Sequence, residues 1–138
     1  MNIVTLRVNG AERDVALAIE TLDVVPARRW RTGESRRHSV KHSTSGFAID
    51  IEGVTNPGEV VAEVLRLLTH LQDKQFTFSS LSLQAELSIG VMVGAESQFV
   101  PFVDLTPQDL AALGASGVGL SVAGYPASES EREQIQDA

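Results

Sequence analysis

Apolar and polar positions alternate or recur along most of this chain with enough regularity to name its elements. Val4, Leu6 and Val8 alternate with Thr5, Arg7 and Asn9, and Asn9-Gly10 closes the run as a turn signal. That two-residue rhythm predicts a half-buried strand. Between Asp14 and Asp23, Val15, Ala18, Ile19 and Leu22 recur at helical spacing, and Val25-Pro26 follows as a stop, since a residue before proline avoids the helical region. Arg28 to Gly46 is polar and reads as a loop with one arm of a hairpin. Phe47, Ile49 and Ile51 form a second strand that Gly53 ends.

The longest helical pattern comes next. Asn56 is placed to cap it, Pro57 suits its first turn, and Glu59 can complete a capping box. Val61, Val64, Leu65, Leu68 and Leu71 make the expected buried stripe, with Asp73 beyond the end. Leu83 to Val93 carries the longest alternation in the chain, that of a central strand. Phe99 to Val103 contains a proline and reads as a short edge strand. Thr106-Pro107-Gln108-Asp109 starts another helix, Gly114 stops it, and Val118, Leu120 and Val122 form a last strand.

This order predicts an α+β fold: an antiparallel or mixed sheet of 4–5 strands with two main helices on one face, in a ferredoxin-like arrangement. A doubly wound dinucleotide fold is disfavoured, because the first strand runs into Asn9-Gly10-Ala11-Glu12-Arg13 and not a glycine-rich phosphate loop. Residues 1–126 read as one domain and 127–138 as a polar, acidic, flexible tail.

Composition narrows the chemistry. Aromatics are only 5%, so the core must be aliphatic. Cysteine is absent, which removes disulfides, thiolate metal sites and cysteine nucleophiles. The first residues carry no secretory pattern and no run has the length of a membrane span, so a cytoplasmic location without membrane contact is expected. The net charge is −7, which disfavours nucleic acid as a partner. Charge is segregated, however. From Arg28 to His42 there are six bases and one acid, +5, leaving −12 for the remainder.

That basic stretch surrounds the lone tryptophan. Arg28, Arg29, Arg31, Arg36 and Arg37 with Trp30 could grip an anion or a protein partner, or stack on a nucleotide. The plainer alternative is that Trp30 plugs the edge of the core while the arginines are solvated, which is the more usual use of a lone tryptophan. His38 and His42 are four apart, but no acid lies near them and Arg36, Arg37 and Lys41 would repel a cation; no metal and no cofactor is expected. Asp50, Glu52 and Glu86 would cluster for acid–base work only if their strands pair, and a solvated sheet face is the commoner outcome. No nucleophile elbow or phosphate loop occurs.

Pro26, Trp30, Gly33 and Glu34, followed by a long leucine-rich helix and by Leu-Thr-Pro-x-x-Leu-Ala-x-Leu-Gly at Leu105 to Gly114, resemble the bacterial DUF4279 family of domains of unknown function. The resemblance spans Val4 to Tyr125, with Phe47 where members often carry a second tryptophan. It implies an intracellular bacterial domain and transfers no catalytic residue. The expected function is therefore a non-catalytic protein-binding or regulatory module, of a size and charge similar to bacterial immunity proteins. Nucleotide or nucleic-acid binding through the Arg–Trp loop is the alternative, and an enzyme using sheet carboxylates ranks last. A dimer is compatible with an uncapped sheet edge near Phe99 to Val103.

Overall fold

The structure is a computed structural model that describes residues 2–35, 40–54, 57–94 and 102–126, without the side chains of 52–54, 57 and 58. Its elements are β1 (Asn2–Gly10), α1 (Glu12–Leu22), β2 (Arg28–Trp30), β3 (Ser45–Val54), α2 (Pro57–Asp73), β4 (Gln84–Val93), α3 (Pro107–Ser116) and β5 (Val118–Pro126), with a 3-10 turn at Phe78–Leu81 before β4. The strands form one sheet in the order β2-β3-β1-β4-β5. β1 is central and antiparallel to both β3 and β4. Since β3 and β4 therefore run the same way with β1 between them, β3-α2-β4 is a split β-α-β unit, the motif from which ferredoxin-like folds are built. α3 then carries the chain to β5, which lies parallel to β4 and makes the sheet mixed.

One face of this sheet holds the core. Val4, Leu6 and Val8 of β1, Phe47 of β3 and Leu87, Ile89 and Val91 of β4 are buried against Val15, Ala18 and Leu22 of α1, Val60, Val64, Leu68 and Leu71 of α2, and Leu113 of α3. Each of these side chains other than that of Ala18 contributes about 1.5–3 kcal/mol of burial. The buried stripe of α2 starts one residue earlier than the sequence pattern indicates: Val60 is fully buried, while Leu65 is 38% exposed. Valine and leucine pairs at 60/61 and 64/65 leave the helix phase ambiguous by about 100°, and packing selects the first member of each pair.

Element ends depart from expectation where backbone geometry outranks residue type. α1 stops at Leu22 because Asp23 adopts the left-handed conformation (φ 52°), before Pro26 can act. His70 of α2 then bonds through Nε2 to the Leu22 carbonyl at 2.7 Å; the carbonyl can only accept, so that nitrogen carries the proton. Strand β3 passes through Gly53 and continues to Val54. α3 begins at the expected Thr106-Pro107 start, where a capping box forms: Thr106 and Asp109 each accept from the other's backbone N–H. It passes Gly114 and ends at Gly117, whose φ of 79° and tight approach to Ser79 (a Cβ would stand 2.9 Å from its nitrogen) both call for glycine. The Asn56 cap, most of the expected strand at Phe99 to Val103 and the 127–138 tail lie outside the described residues. Phe102 and Val103 themselves have no regular structure, and Phe102 is 67% exposed.

Candidate functional site

Among the described residues, the second face of the sheet carries no helix. Period-2 geometry sends Thr5 and Arg7 of β1, Gly46, Ala48 and Asp50 of β3, and Glu86, Ser88 and Gly90 of β4 to this side. Trp30 belongs here too. It pairs with Gly46, and its indole lies across that glycine, where a Cβ would stand 2.4 Å from Cζ2. The ring of His42 stacks on it with centroids 5.2 Å apart, and the Arg7 guanidinium sits 4.5 Å from its centroid. Trp30 is thus 7% exposed without joining the helix-side core. It plugs the opposite face, and its Nε1–H is buried without a hydrogen-bond partner among the described residues.

The segment after Trp30 turns back on itself. Gly33 N–H donates to the His42 carbonyl, His42 N–H donates to the Glu34 carbonyl, and Ser35 and Lys41 form an isolated antiparallel bridge. This hairpin extends the β2 edge and carries His42 back over the indole.

Arg28, Arg29 and Arg31 all lie on or beside β2, at one edge of the sheet, but alternation divides them between its faces. Arg28 reaches Asp50 with both terminal nitrogens, the Nη2 bond being 3.1 Å, and Thr5 Oγ1 donates to the same carboxylate at 3.0 Å. Arg29 crosses to the helix side and meets Glu12 Oε1 at 2.8 Å; Arg31 Nε lies 3.5 Å from the same oxygen. Burial raises the Glu12 carboxyl's pKa, but Ser45 beside it and the charges of Arg29 and Arg31 outweigh that, and the net shift is downward from 4.5. The described residues of this edge include the bases Arg28, Arg29, Arg31 and Lys41 and the acids Glu12, Glu34 and Asp50, four charges against three, with the three arginines paired to Asp50 or Glu12. Arg36, Arg37 and His38 lie outside the described residues.

Asp50 and Glu86 do not meet, and the side chain of Glu52 lies outside the described residues. β1 separates β3 from β4, so Asp50 and Ser88 flank Thr5 while Glu86 sits opposite Arg7, one pleat further along. Glu86 Oε1 accepts from Ser88 at 3.2 Å, and Asp50 is held by Arg28 and Thr5, which leaves neither poised as a base. The described residues contain no group of three His, Asp or Glu side chains arranged to hold a metal, and no helix among them is long and apolar enough to cross a membrane.

A groove of about 370 Å3 opens on the helix-free face, lined by Ile3, Thr5, Ser88, Gly90, Met92 and Tyr125. The Tyr125 ring leans over Gly90, where a Cβ would be 3.1 Å from it, and stays 53% exposed; Ile3 is 40% exposed. A shallower polar depression adjoins Arg7, Gln84 and Glu86. Sequence reasoning misses this groove because its residues come from three strands and share no local motif. The signal that could find it is the odd-numbered apolar residue, Ile3, on the polar side of β1, together with Met92 on that of β4.

A family model described as a domain of unknown function (DUF4279) matches residues 1–127. No curated protein and no solved structure matches the chain.

Proposed function

The chain belongs to the DUF4279 family, and from that premise, which assigns no activity, we propose that it is a non-catalytic module that binds a basic protein partner on the helix-free face of its sheet. The observation that carries the reading is the groove at Ile3, Gly90, Met92 and Tyr125, an apolar recess on a face whose neighbouring Arg28 and Asp50 already satisfy each other. Such a recess suits one apolar anchor side chain, with a polar rim around it. The excess of 18 acidic over 11 basic residues supplies attraction to a cationic partner.

Part of the Arg–Trp segment borders the same surface. Arg28 lies on it, and Trp30 with Arg7 and His42 forms its firm floor; Arg29 and Arg31 point to the helix side, so one partner on the open face does not meet all three arginines. Burial of the indole beneath His42 and Arg7 also removes it as a stacking surface for bases, which sets protein binding ahead of nucleic acid. A cytoplasmic bacterial setting, with an immunity-protein-like role toward a basic toxin, is the narrower form of the proposal.

A photo-crosslinking amino acid at Ser88 in the producing cell tests it. The captured protein, once purified, is expected to be basic and to lose at least about tenfold in affinity for Ile3→Arg, while Leu17→Arg on the helix layer leaves affinity unchanged. Capture from position 17 instead of 88, or an oligonucleotide that quenches Trp30 at low salt, overturns the reading.

A further inference from the structure

We infer that β5 is a homodimerisation strand, which pairs antiparallel with β5 of a second copy and joins two five-stranded sheets into one. Among the described residues, β5 ends the sheet and bonds only to β4, in unbroken register from Ala85–Val118 to Val93–Pro126. Its outer row of backbone N–H and C=O groups is without a hydrogen-bond partner among the described residues. Every residue from Gly119 to Pro126 is exposed, including Leu120 at 39%, Val122 at 53% and Tyr125 at 53%. A long edge of this kind is a template for another strand unless charge, proline, a bulge or a covering segment blocks it. Val118–Pro126 contains no charged residue, no bulge, and no proline before its last position.

The occupant is identified by the pattern of the strand itself. A two-fold axis through Val122 sets Val122 against the partner's Val122. It then sets Leu120 against the partner's Gly124, Gly119 against the partner's Tyr125, and Ser121 against the partner's Ala123. Each large side chain thus meets a glycine across the pair, so neither Leu120 nor Tyr125 collides with its counterpart. An aromatic opposite a glycine also shields the exposed backbone there, as Tyr125 already does for Gly90 within the chain. Charge selects the same arrangement. Two chains of −7 repel in most orientations, and β5 offers nine consecutive neutral residues for close approach. Alternate residues of the nine exchange bonds, about eight in all, and Leu120 and Val122 continue the helix-side apolar surface across the junction.

Light scattering on the full chain across a range of concentrations is the test. The wild type is expected at twice the chain mass and Val122→Lys at the single-chain mass, because its lysines face each other on the axis. Val122→Glu is monomeric alone, and mixing the two variants restores the dimer. The absence of cysteine gives a second readout that does not require a charged variant to fold. Directly opposed Cα atoms in an antiparallel pair are about 4.5–5.5 Å apart, within disulfide reach, so Val122→Cys oxidises to a linked dimer. Leu120→Cys does not, its own copy being about 13 Å away at four residues' offset. A wild type of single-chain mass at all concentrations, a Val122→Lys dimer, or linkage through position 120 in place of 122 overturns the inference.

Discussion

Gly46→Ala should destabilise the protein by about 2 kcal/mol, although alanine is otherwise the better strand residue. The added methyl would stand 2.4 Å from Trp30 Cζ2, 2.6 Å from Cε2 and 2.4 Å from the Val8 carbonyl oxygen. The carbonyl belongs to the central strand, held on both sides by β3 and β4, and has no room to retreat. The indole must therefore lift. A buried tryptophan covers about 150–250 Å2, or about 4–6 kcal/mol at 25 cal/mol per Å2. Losing about half of that costs about 2–3 kcal/mol, and the reduced freedom of the unfolded chain returns about 0.4–1 kcal/mol. For a chain of 138 residues the Tm should fall by about 8 °C. Because Trp30 is the only tryptophan, its emission reports the same event, shifting to the red in the folded variant. The internal control is Gly114→Ala: that glycine lies in α3 with nothing within 4 Å of a new Cβ, so the substitution should raise stability by about 0.5–1 kcal/mol. Urea titrations followed by fluorescence and by far-ultraviolet dichroism measure both. An unchanged midpoint and emission for Gly46→Ala, or equal effects at the two glycines, would refute the account of Trp30 as a plug seated on Gly46.

Thr106→Ala removes the acceptor of the Asp109 N–H and half of the capping box, and should cost about 1 kcal/mol in the same titration. Glu12→Gln should cost less than about 1 kcal/mol at pH 7, since the Arg29 pair is more than a third exposed. The sign of its pH dependence follows from a folded pKa below 4.5: the carboxylate's contribution is complete above that value and disappears as pH falls through the lowered one, so wild type and variant converge in acid.

What the residues announced in advance was the part of the fold written in local rhythm. The alternation at Val4-Leu6-Val8 and at Leu83–Val93, and the Thr106-Pro107 start, all reappear as β1, β4 and α3. Strand order was not legible, because no local pattern states that β1 will insert between β3 and β4; that insertion is what parts Asp50 from Glu86. The face occupied by Trp30 was equally hidden. Its burial follows from its size, but the choice of side follows from pairing with Gly46, sixteen positions away, in a strand whose register is set by Phe47 and not by the tryptophan. The groove could not be assembled without knowing that Ile3, Gly90 and Tyr125 share one side of three adjacent strands.

The two edges of the sheet are treated in opposite ways, and the contrast bears on where this molecule makes contacts. At the β2 edge three residues suffice to end the sheet; Pro26 precedes them, and Arg28, Arg29 and Arg31 are clasped by Asp50 on one face and Glu12 on the other. Those are the devices by which a strand is kept from adding a neighbour. The β5 edge is three times as long and has none of them before its last residue. Among the described residues, the β2 edge holds a cluster of charge while β5 carries no charged side chain, a contrast for which the inferred dimer gives a reason. If bareness carried no selective cost because the edge is covered in a second copy, introducing one charge at its midpoint should be the most disruptive surface substitution in the protein for assembly, and nearly neutral for the folding of the isolated chain.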